Sequence, residues 1–421
     1  MTEKEKLKKL ARFLFFILES KASFYRDKYK AAGFTPAKMR SIDDIVKIPF
    51  LTRSELMHAD IWSRLFVPIG DTISIGYTSG TTKQELLPLW RNYFLSAPPD
   101  MDAQRILITP IQPWRVLGQS EWFRRKGVFV VCGDVNNLAL TGELAATLKI
   151  DSVYTSPAIA LLLVRHFNER YDLRAIRHLV LYGEKLSAIR RDLLKTTYPR
   201  AKIVTHYALS EIGPAGNSCP VGTEGDAYHQ DENFLYEVVD PLTGERLPPN
   251  QVGEIVISTL VRTPTPMIRY RTGDMGIIPD IICPCASPKP LFKILGRINF
   301  DIVKAGGFEL RDDAFEGGIE TLNHLVFPNE TEVHVFEERD PGVSSSVKLK
   351  LVFKLAPRGL LSEDNIKNIL ELIRKNIKVG RDLTVGEAEQ KGYILTPKIE
   401  IIHREVDNQI IHKKRILVSH L

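Results

Sequence analysis

A hydroxyl-rich segment at residues 77–82 has the composition of a phosphate-binding loop. Small Ser and Thr side chains around a glycine allow backbone N–H groups and several O–H donors to converge on a polyanion. Such clusters also form ordinary turns, so this segment alone predicts no function. The candidate phosphate ligands are Ser79, Gly80, Thr81 and Thr82.

A second segment, residues 206–211, follows an apolar strand and combines three kinds of polar chemistry. Tyr207 supplies an aromatic ring, Ser210 a hydroxyl and Glu211 a carboxylate. A ring that stacks on a base, a donor to a phosphate and a carboxylate for Mg²⁺ suit a nucleotide site. A strand end followed by a helix cap is the alternative interpretation of the same residues.

Two more segments follow in order along the chain. Asp274 stands directly behind a glycine in residues 269–274, where its carboxylate can accept two ribose hydroxyls. Arg297 follows Gly296 and precedes residues 301–307, which contain a lysine and two glycines. The four segments together predict one nucleotide site.

In this order, the four segments resemble the motifs of the adenylate-forming superfamily: acyl-CoA synthetases, firefly-type luciferases and peptide-synthetase adenylation domains. The chain is most similar to the phenylacetate-CoA ligase branch. The resemblance implies ATP-dependent activation of a small carboxylic acid, with aromatic acids favoured, through an acyl-adenylate, and transfer to coenzyme A. The matching stretches are residues 23–26, 41–45, 48–52, 182–187 and 267–274.

The resemblance also assigns roles around ATP to the matching residues. By this resemblance, the β- and γ-phosphates are held by Ser79, Gly80, Thr81 and Thr82. Adenine is flanked by Gly183, Glu184 and Tyr207. Ser210 reaches the α-phosphate, Glu211 holds Mg²⁺, and the ribose is bound by Asp274 with Arg297.

The chain departs from the family pattern in several places. The phosphate loop continues with residues 83–85 instead of Gly-x-Pro, and Asn299 replaces an aspartate common at the interdomain hinge. The family's adenylation lysine follows a glycine near the C-terminus, where this chain has Ile411-His412. Lys413 is the predicted catalytic cation, because a permanent charge suits developing negative charge better than an imidazole. His412, Lys414 and a solvated basic tail remain alternatives.

The cysteines predict a separate metal site. Cys283 and Cys285 form a C-x-C pair, and Cys219 and His229 lie earlier in the chain. Three thiolates and one imidazole make a tetrahedral set for structural Zn²⁺. Relatives in the phenylacetate-CoA ligase branch have similar positions. Cys132 lies in an apolar strand and is expected in the core.

Composition limits the other classes of function. Lys plus Arg exceed Asp plus Glu by 57 − 51 = 6 in 421 residues, which predicts no nucleic-acid partner. Four cysteines fit a reducing, cytoplasmic setting, and the apolar N-terminal stretch is too short for a membrane span. A homodimer is a further hypothesis.

The pattern of elements predicts an α/β protein. Apolar runs alternate with helical patterns from about residue 100 to 260, as in a buried and mostly parallel sheet. An amphipathic helix is expected over residues 5–31, with a membrane-surface helix as its rival. We expect an N-terminal adenylation domain at 1–296 and an α+β lid at 297–421, with ATP between them as the family implies.

Two rival functions remain open at this stage. One is an adenylating enzyme that passes the acyl group to a carrier protein, an amine or another acceptor instead of coenzyme A. The other is an ATP-binding relative that has lost turnover, which the altered loop exit and the missing Gly-Lys would explain.

Overall fold

The chain forms two compact units, seen in a computed structural model. The first unit comprises Met1–Ser156, His166–Gly183 and Arg200–Ile298, and the second comprises Pro157–Arg165, Glu184–Pro199 and Asn299–Leu421. The predicted domain boundary after residue 296 stays a prediction. The structure describes residues 3–78, 87–91, 101–110, 114–167, 171–183, 186, 188–219, 227–283, 285, 287–297, 302–305, 308–327, 331–340, 347–380, 383–402 and 417–420.

Ten α-helices lie in the described part of the chain. They are α1 (Glu3–Glu19), α2 (Phe24–Ala31), α3 (Arg53–His58), α4 (Arg115–Arg124), α5 (Leu138–Thr147), α6 (Pro157–Phe167), α7 (Ala188–Thr197), α8 (Asp312–Glu320), α9 (Glu363–Asn376) and α10 (Val385–Gln390).

The described residues also form twenty-one strands. They are β1 (Ser74–Thr78), β2 (Leu87–Arg91), β3 (Arg105–Ile108), β4 (Phe129–Cys132), β5 (Ser152–Thr155), β6 (His178–Leu181), β7 (Lys202–Leu209), β8 (Gly213–Ser218), β9 (Ala227–Gln230), β10 (Phe234–Val239), β11 (Gly253–Thr259), β12 (Tyr270–Ile277), β13 (Leu291–Arg297), β14 (Ile302–Ala305), β15 (Phe308–Arg311), β16 (Glu332–Arg339), β17 (Val347–Leu355), β18 (Lys378–Val379), β19 (Leu383–Thr384), β20 (Lys398–Ile401) and β21 (Leu417–Ser419).

Among the described residues, eleven strands of the first unit form one mixed sheet in the order β10-β11-β12-β13-β9-β8-β7-β6-β5-β3-β4. Strands β4, β3, β5, β6 and β7 pair in parallel in this order. From β7 the sheet continues through β8, β9, β13, β12 and β11 to β10, and each of these pairs is antiparallel. The predicted α/β class is confirmed. The parallel half lies within the stretch of residues 100–260, where apolar runs predicted a buried and mostly parallel sheet.

The edge of this sheet corrects one expectation about the core. Strand β4 is the last strand of the order, and its Cys132 is exposed instead of buried. An apolar run on an edge strand has a neighbour on one side only, so part of it stays open to solvent.

The N-terminal segment contains two helices where the sequence predicted one. Helix α1 ends at Glu19, and the Ser20 hydroxyl donates to the Ile17 carbonyl at 2.8 Å, which competes with continuation of the helix. Leu10 and Leu14 are fully buried in the core of the first unit. The membrane-surface alternative is therefore wrong for this face.

The same N-terminal segment is tied to the strand that carries Asp274. The Tyr25 hydroxyl donates to the Pro266 carbonyl at 2.9 Å and accepts from the Ile268 amide at 3.0 Å. Leu51 forms an isolated parallel bridge with Tyr270, the first residue of β12. Contacts between residues more than 200 positions apart thus hold this strand in place.

The second unit has its own core and sheet. Four of its described strands form a sheet in the order β20-β17-β16-β21, with a central antiparallel pair and a parallel strand on each side, while β14-β15 and β18-β19 form two-stranded sheets. Helix α9 is capped by Ser362, whose hydroxyl accepts a hydrogen bond from the Asn365 amide at 3.2 Å. A buried ion pair joins Arg190 of α7 to Glu337 of β16 at 2.7 Å. This is the expected α+β arrangement.

No helix among the described residues combines the length and the apolar character needed to cross a bilayer.

Candidate active site

Strand β7 joins the parallel and antiparallel halves of the large sheet. Residues 202–205 pair with β6 in parallel, and from His206 onward the strand pairs with β8 in antiparallel register, with an irregularity between Tyr207 and Ala208. The carboxyl ends of parallel strands are where open α/β sheets bind ligands. The turn after β7 begins with Ser210 and Glu211, two of the predicted site residues.

Two other predicted residues are hydrogen-bonded to each other. The Tyr207 hydroxyl donates to Oδ2 of Asp274 at 2.6 Å, and both side chains are buried. Gly273, the residue before the acid, lies within β12 and adopts φ +72°, a left-handed conformation that favours glycine. Asp274 also lies opposite Arg297 in the β12–β13 register, although the side chain of Arg297 lies outside the described residues.

Three arginines from distant parts of the sequence contact the Ser210–Glu211 turn. Nη1 of Arg53 lies 2.9 Å from Oε1 of Glu211, and Nη1 of Arg91 donates to the Glu211 carbonyl at 3.4 Å. Nη2 of Arg115 donates to Oγ of Ser210 at 2.8 Å. The turn therefore lies in a strongly electropositive environment.

A tryptophan holds two of these arginines. The guanidinium carbons of Arg91 and Arg115 lie 4.8 Å and 5.0 Å from the ring centroid of Trp114, within the range of cation–π attraction. The ring packs on Gly76 of β1, where an added Cβ would lie 2.8 Å from the ring carbons. A glycine is required there because any side chain would displace Trp114.

A buried histidine, His206, is part of β7 itself. His206 has its ring 5.4 Å from Trp122 and 5.9 Å from Tyr154. Burial lowers the pKa of His206 to about 4. The imidazole is therefore neutral at pH 7.

Several predicted site residues lie outside the described residues. Gly183 is described, with φ +91°, two residues after β6. The others have no described structure: Ser79, Gly80, Thr81, Thr82, Glu184, Asn299, His412, Lys413 and Lys414.

The predicted zinc ligands form one cluster. The ligand atoms of Cys219, His229, Cys283 and Cys285 all lie within 4.8 Å of one another. Sγ of Cys283 lies 3.1 Å from Sγ of Cys219 and 3.2 Å from Sγ of Cys285, which in turn lies 3.2 Å from Nε2 of His229. These sulfurs are too far apart for disulfides, whose S–S bond is about 2.05 Å.

The donor set fits a tetrahedral ion. With Zn–S bonds of about 2.3 Å, tetrahedral sulfur ligands lie about 3.8 Å apart, so the cluster needs only a small expansion. Burial opposes ionisation of Cys283, but hydrogen bonds from the Cys285 backbone and from the Cys219 and Cys285 thiols outweigh it and lower the pKa of this thiol. Thiolate is the form that binds metals.

The three arginines were not predicted from the sequence. Arg53, Arg91 and Arg115 belong to no common motif, and their spacing carries no periodic signal. In the part of the chain that the structure describes, these arginines share their contact with the Ser210–Glu211 turn. A three-dimensional arrangement was needed to find it.

Comparison with known proteins identifies the family. The family described as AMP-binding enzyme matches residues 122–265. A 4-coumarate–CoA ligase of Glycine max is 36% identical over 223 residues, which are 48% of this chain and 70% of that protein. The chain belongs to the AMP-binding enzyme family. The predicted membership of the adenylate-forming superfamily is confirmed.

Other relatives of this AMP-binding enzyme agree. A phenylacetate-coenzyme A ligase of Thermus thermophilus is 26% identical over 327 residues, 72% of this chain and 71% of that protein. The crystal structure of 2-hydroxyisobutyryl-CoA ligase with 2-HIB-AMP and CoA has a TM-score of 0.65 and 20% identity, covering 99% of this chain and 89% of that one. This likeness establishes the shared fold.

Proposed function

We propose that this AMP-binding enzyme joins a small carboxylic acid to coenzyme A with ATP, through an acyl-adenylate. In the first step a carboxylate oxygen attacks the α-phosphorus, the bond to the β-phosphate breaks, and pyrophosphate leaves. In the second step the thiol of coenzyme A loses its proton, its sulfur bonds to the acyl carbon, and AMP leaves. The names of the relatives, phenylacetate- and 4-coumarate–CoA ligases, support this class and favour an aromatic acid.

One observation carries the proposal: the contact between Tyr207 and Asp274, at the strand end where Ser210 and Glu211 follow. In this proposal Tyr207 and Gly183 flank adenine, while Asp274 accepts the ribose hydroxyls. Ser210 then reaches the first phosphate. The family resemblance gives the roles of the remaining site residues, which are Ser79, Gly80, Thr81, Thr82, Glu184, Arg297 and Lys413.

Two metals belong to the proposal. Glu211 offers a carboxylate oxygen to Mg²⁺, which neutralises phosphate charge during the transfer. The four-residue cluster of Cys219, His229, Cys283 and Cys285 holds a structural Zn²⁺. Its four protein ligands leave no open position for catalysis.

Charge is the main barrier to the first step, because two anions must approach each other. Preorganised cationic groups and hydrogen-bond donors reduce this cost in a site that excludes water. Correct orientation of the two reactants contributes roughly 7 to 11 kcal/mol in favourable cases. The cations around Ser210 and Glu211 are suited to reducing the repulsion between the two anions.

Pyrophosphate release measured over a panel of acids tests the proposal. The panel contains phenylacetate, 4-coumarate, 2-hydroxyisobutyrate and acetate. Asp274→Asn, Glu211→Gln and Lys413→Ala are each expected to lower the rate at least about tenfold, whereas Arg124→Met, on the exposed face of α4, retains it. Absence of acid-dependent release in the wild-type protein would contradict the proposal.

Mass spectrometry of the products identifies the acceptor. An acyl-CoA thioester is the expected product when coenzyme A is present. Pyrophosphate release without any thioester would instead indicate a carrier protein, an amine or another acceptor. The homodimer stays a prediction, which light scattering on the purified protein tests.

A further inference from the structure

The turn that follows β7 gives Ser210 an unusual hydrogen-bond arrangement. Its oxygen accepts a hydrogen bond from Nη2 of Arg115 at 2.8 Å. A hydroxyl that accepts from a cation directs its own hydrogen away from that cation. The serine O–H and the neighbouring guanidinium N–H groups can then donate to one anionic oxygen.

Arg115 is also held in a fixed orientation. It is the first residue of α4, and its guanidinium lies against the ring of the preceding Trp114 at 5.0 Å. Arg91 approaches the same ring at 4.8 Å from the end of β2. Because Trp114 packs on Gly76, two cations are anchored by a ring that cannot shift toward β1.

The two cations increase the attraction for an anion. Burial and the positive charge of Arg115 lower the pKa of Arg91 to about 9, although the nearby Glu211 carboxylate acts in the opposite direction. Arg91 therefore stays charged at pH 7 in surroundings poor in water, next to a like charge. A bound anion would relieve this repulsion.

The position along β7 indicates which anion fits. Tyr207 contacts Asp274, the proposed ribose ligand, and Ser210 follows three residues later. Three residues of extended chain span at most about 10 Å, and the first phosphate of a nucleotide is bonded directly to its ribose, so one nucleotide can reach both Asp274 and Ser210. The subsite beside Ser210 is thus placed for the phosphate nearest the sugar.

We propose that Arg115 binds the α-phosphate of the nucleotide together with the Ser210 hydroxyl, and that Arg91 positions Arg115 through Trp114. This inference rests on the proposed function. It adds a cation supplied by the first unit to the reacting centre, and it gives Arg115 a direct role in stabilising the charge that accumulates when a carboxylate attacks phosphorus.

Calorimetric titration with AMP, adenosine and inorganic pyrophosphate tests the inference without any acid substrate. Arg115→Met is expected to weaken AMP binding at least about tenfold, and adenosine binding less than about twofold, because only AMP carries the phosphate. Arg91→Met is expected to weaken AMP binding by a smaller factor. Arg124→Met, on the same helix and exposed, serves as the matched control.

A second variant distinguishes the loss of a phosphate contact from misfolding of the protein. Arg115→Lys retains the charge but not the planar fork, so we expect AMP binding between that of the wild type and Arg115→Met. Circular dichroism and thermal melting establish that each variant is folded. A folded Arg115→Met that binds AMP as tightly as the wild type would overturn the inference.

The three ligands separate the remaining outcomes. Weakening of AMP and adenosine by equal factors would show that Arg115 supports the nucleoside pocket, and weakening of pyrophosphate alone would assign it to the β- and γ-phosphates; either result overturns the proposal. A wild-type protein that binds neither AMP nor adenosine would refute the proposed function itself. Normal pyrophosphate release with unaltered AMP binding in Arg115→Met would refute only the inference.

Discussion

Arg53 and Glu211, 158 positions apart in the sequence, form an ion pair with 2.9 Å between Nη1 and Oε1. Arg53 is the first residue of α3, and Glu211 lies in the turn after β7. The carboxylate proposed for Mg²⁺ thus already has a cationic partner. A metal ion must compete with that partner for the same oxygens.

This competition predicts the effect of removing Arg53. Arg53→Met should lower the Mg²⁺ concentration for half-maximal pyrophosphate release about fivefold, since a partly exposed ion pair contributes about 1 kcal/mol. Glu211→Gln should raise it at least about tenfold, because an amide carries no charge. The measurement is a Mg²⁺ titration of the initial rate.

Arg125→Met, which breaks an exposed pair with Glu121, provides the control and should leave the Mg²⁺ requirement unchanged. A higher Mg²⁺ requirement in Arg53→Met would mean that Arg53 orients Glu211 for the metal instead of competing with it.

The cysteine cluster predicts one zinc ion per chain. Elemental analysis of the purified protein should find one equivalent of zinc, and Cys285→Ser should lose it and unfold at lower urea concentration, because structural zinc contributes to folding directly. Cys132→Ser is the matched control, since Cys132 is exposed and lies outside the cluster. Full stability of Cys285→Ser together with a metal-free wild type would refute the site.

His206 predicts a loss of stability in acid. Its pKa falls from 6.5 in the unfolded chain to about 4 in the folded one. Above pH 6.5 the group is neutral in both states and has no effect. Between pH 6.5 and 4 only the unfolded chain takes up the proton, so the free energy of unfolding should fall by about 2–3 kcal/mol by pH 4.5.

Urea unfolding at pH 7 and pH 4.5 measures this loss. In His206→Phe the loss should be smaller by that amount, whereas the exposed His324→Gln should behave like the wild type. Equal acid sensitivity of wild type and His206→Phe would show that other groups govern the transition.

A buried ion pair predicts a large effect on stability. Arg269 and Glu237 are each 2% exposed and 3.1 Å apart, and Arg269 also donates to the Ile48 carbonyl at 2.9 Å. Arg269→Met should reduce the free energy of unfolding by about 3–5 kcal/mol, because it leaves a buried carboxylate without its cation.

Arg262→Met offers a contrast, since Arg262 is mostly exposed and should change stability by less than about 0.5 kcal/mol. Adding Glu237→Leu to Arg269→Met should recover part of the loss, since it removes the stranded charge. Urea unfolding of the four proteins measures both effects. If the double variant is no more stable than Arg269→Met, the lost stability comes from the hydrogen bonds of Arg269 to the backbone and not from the unpaired carboxylate.

Local pattern predicted the elements of the fold well. The apolar runs of β3 and β6 lie inside the parallel half, where both faces are covered, so their composition carries a clear signal. The break between α1 and α2 was missed because the apolar periodicity continues across it.

The candidate site was predictable only where its residues share a motif. Tyr207 and Asp274 each stand in a recognisable segment, and the structure joins them by a hydrogen bond. Arg91 and Arg115 stand in none. An arginine that reaches the site only because its strand or helix packs there leaves no regular spacing in the sequence. The convergence of Arg91 and Arg115 on the Ser210–Glu211 turn therefore depends on the tertiary arrangement of β2 and α4.

The attachment of the N-terminal segment to β12 has a consequence for synthesis. Tyr25 finds Pro266 and Ile268 only after more than 240 further residues have been made. The first helices therefore leave the ribosome before β12 has been synthesised, and their apolar face then lacks that packing partner. Contacts of such long range slow folding and expose the nascent chain to aggregation, so this enzyme should depend on chaperones early in its life.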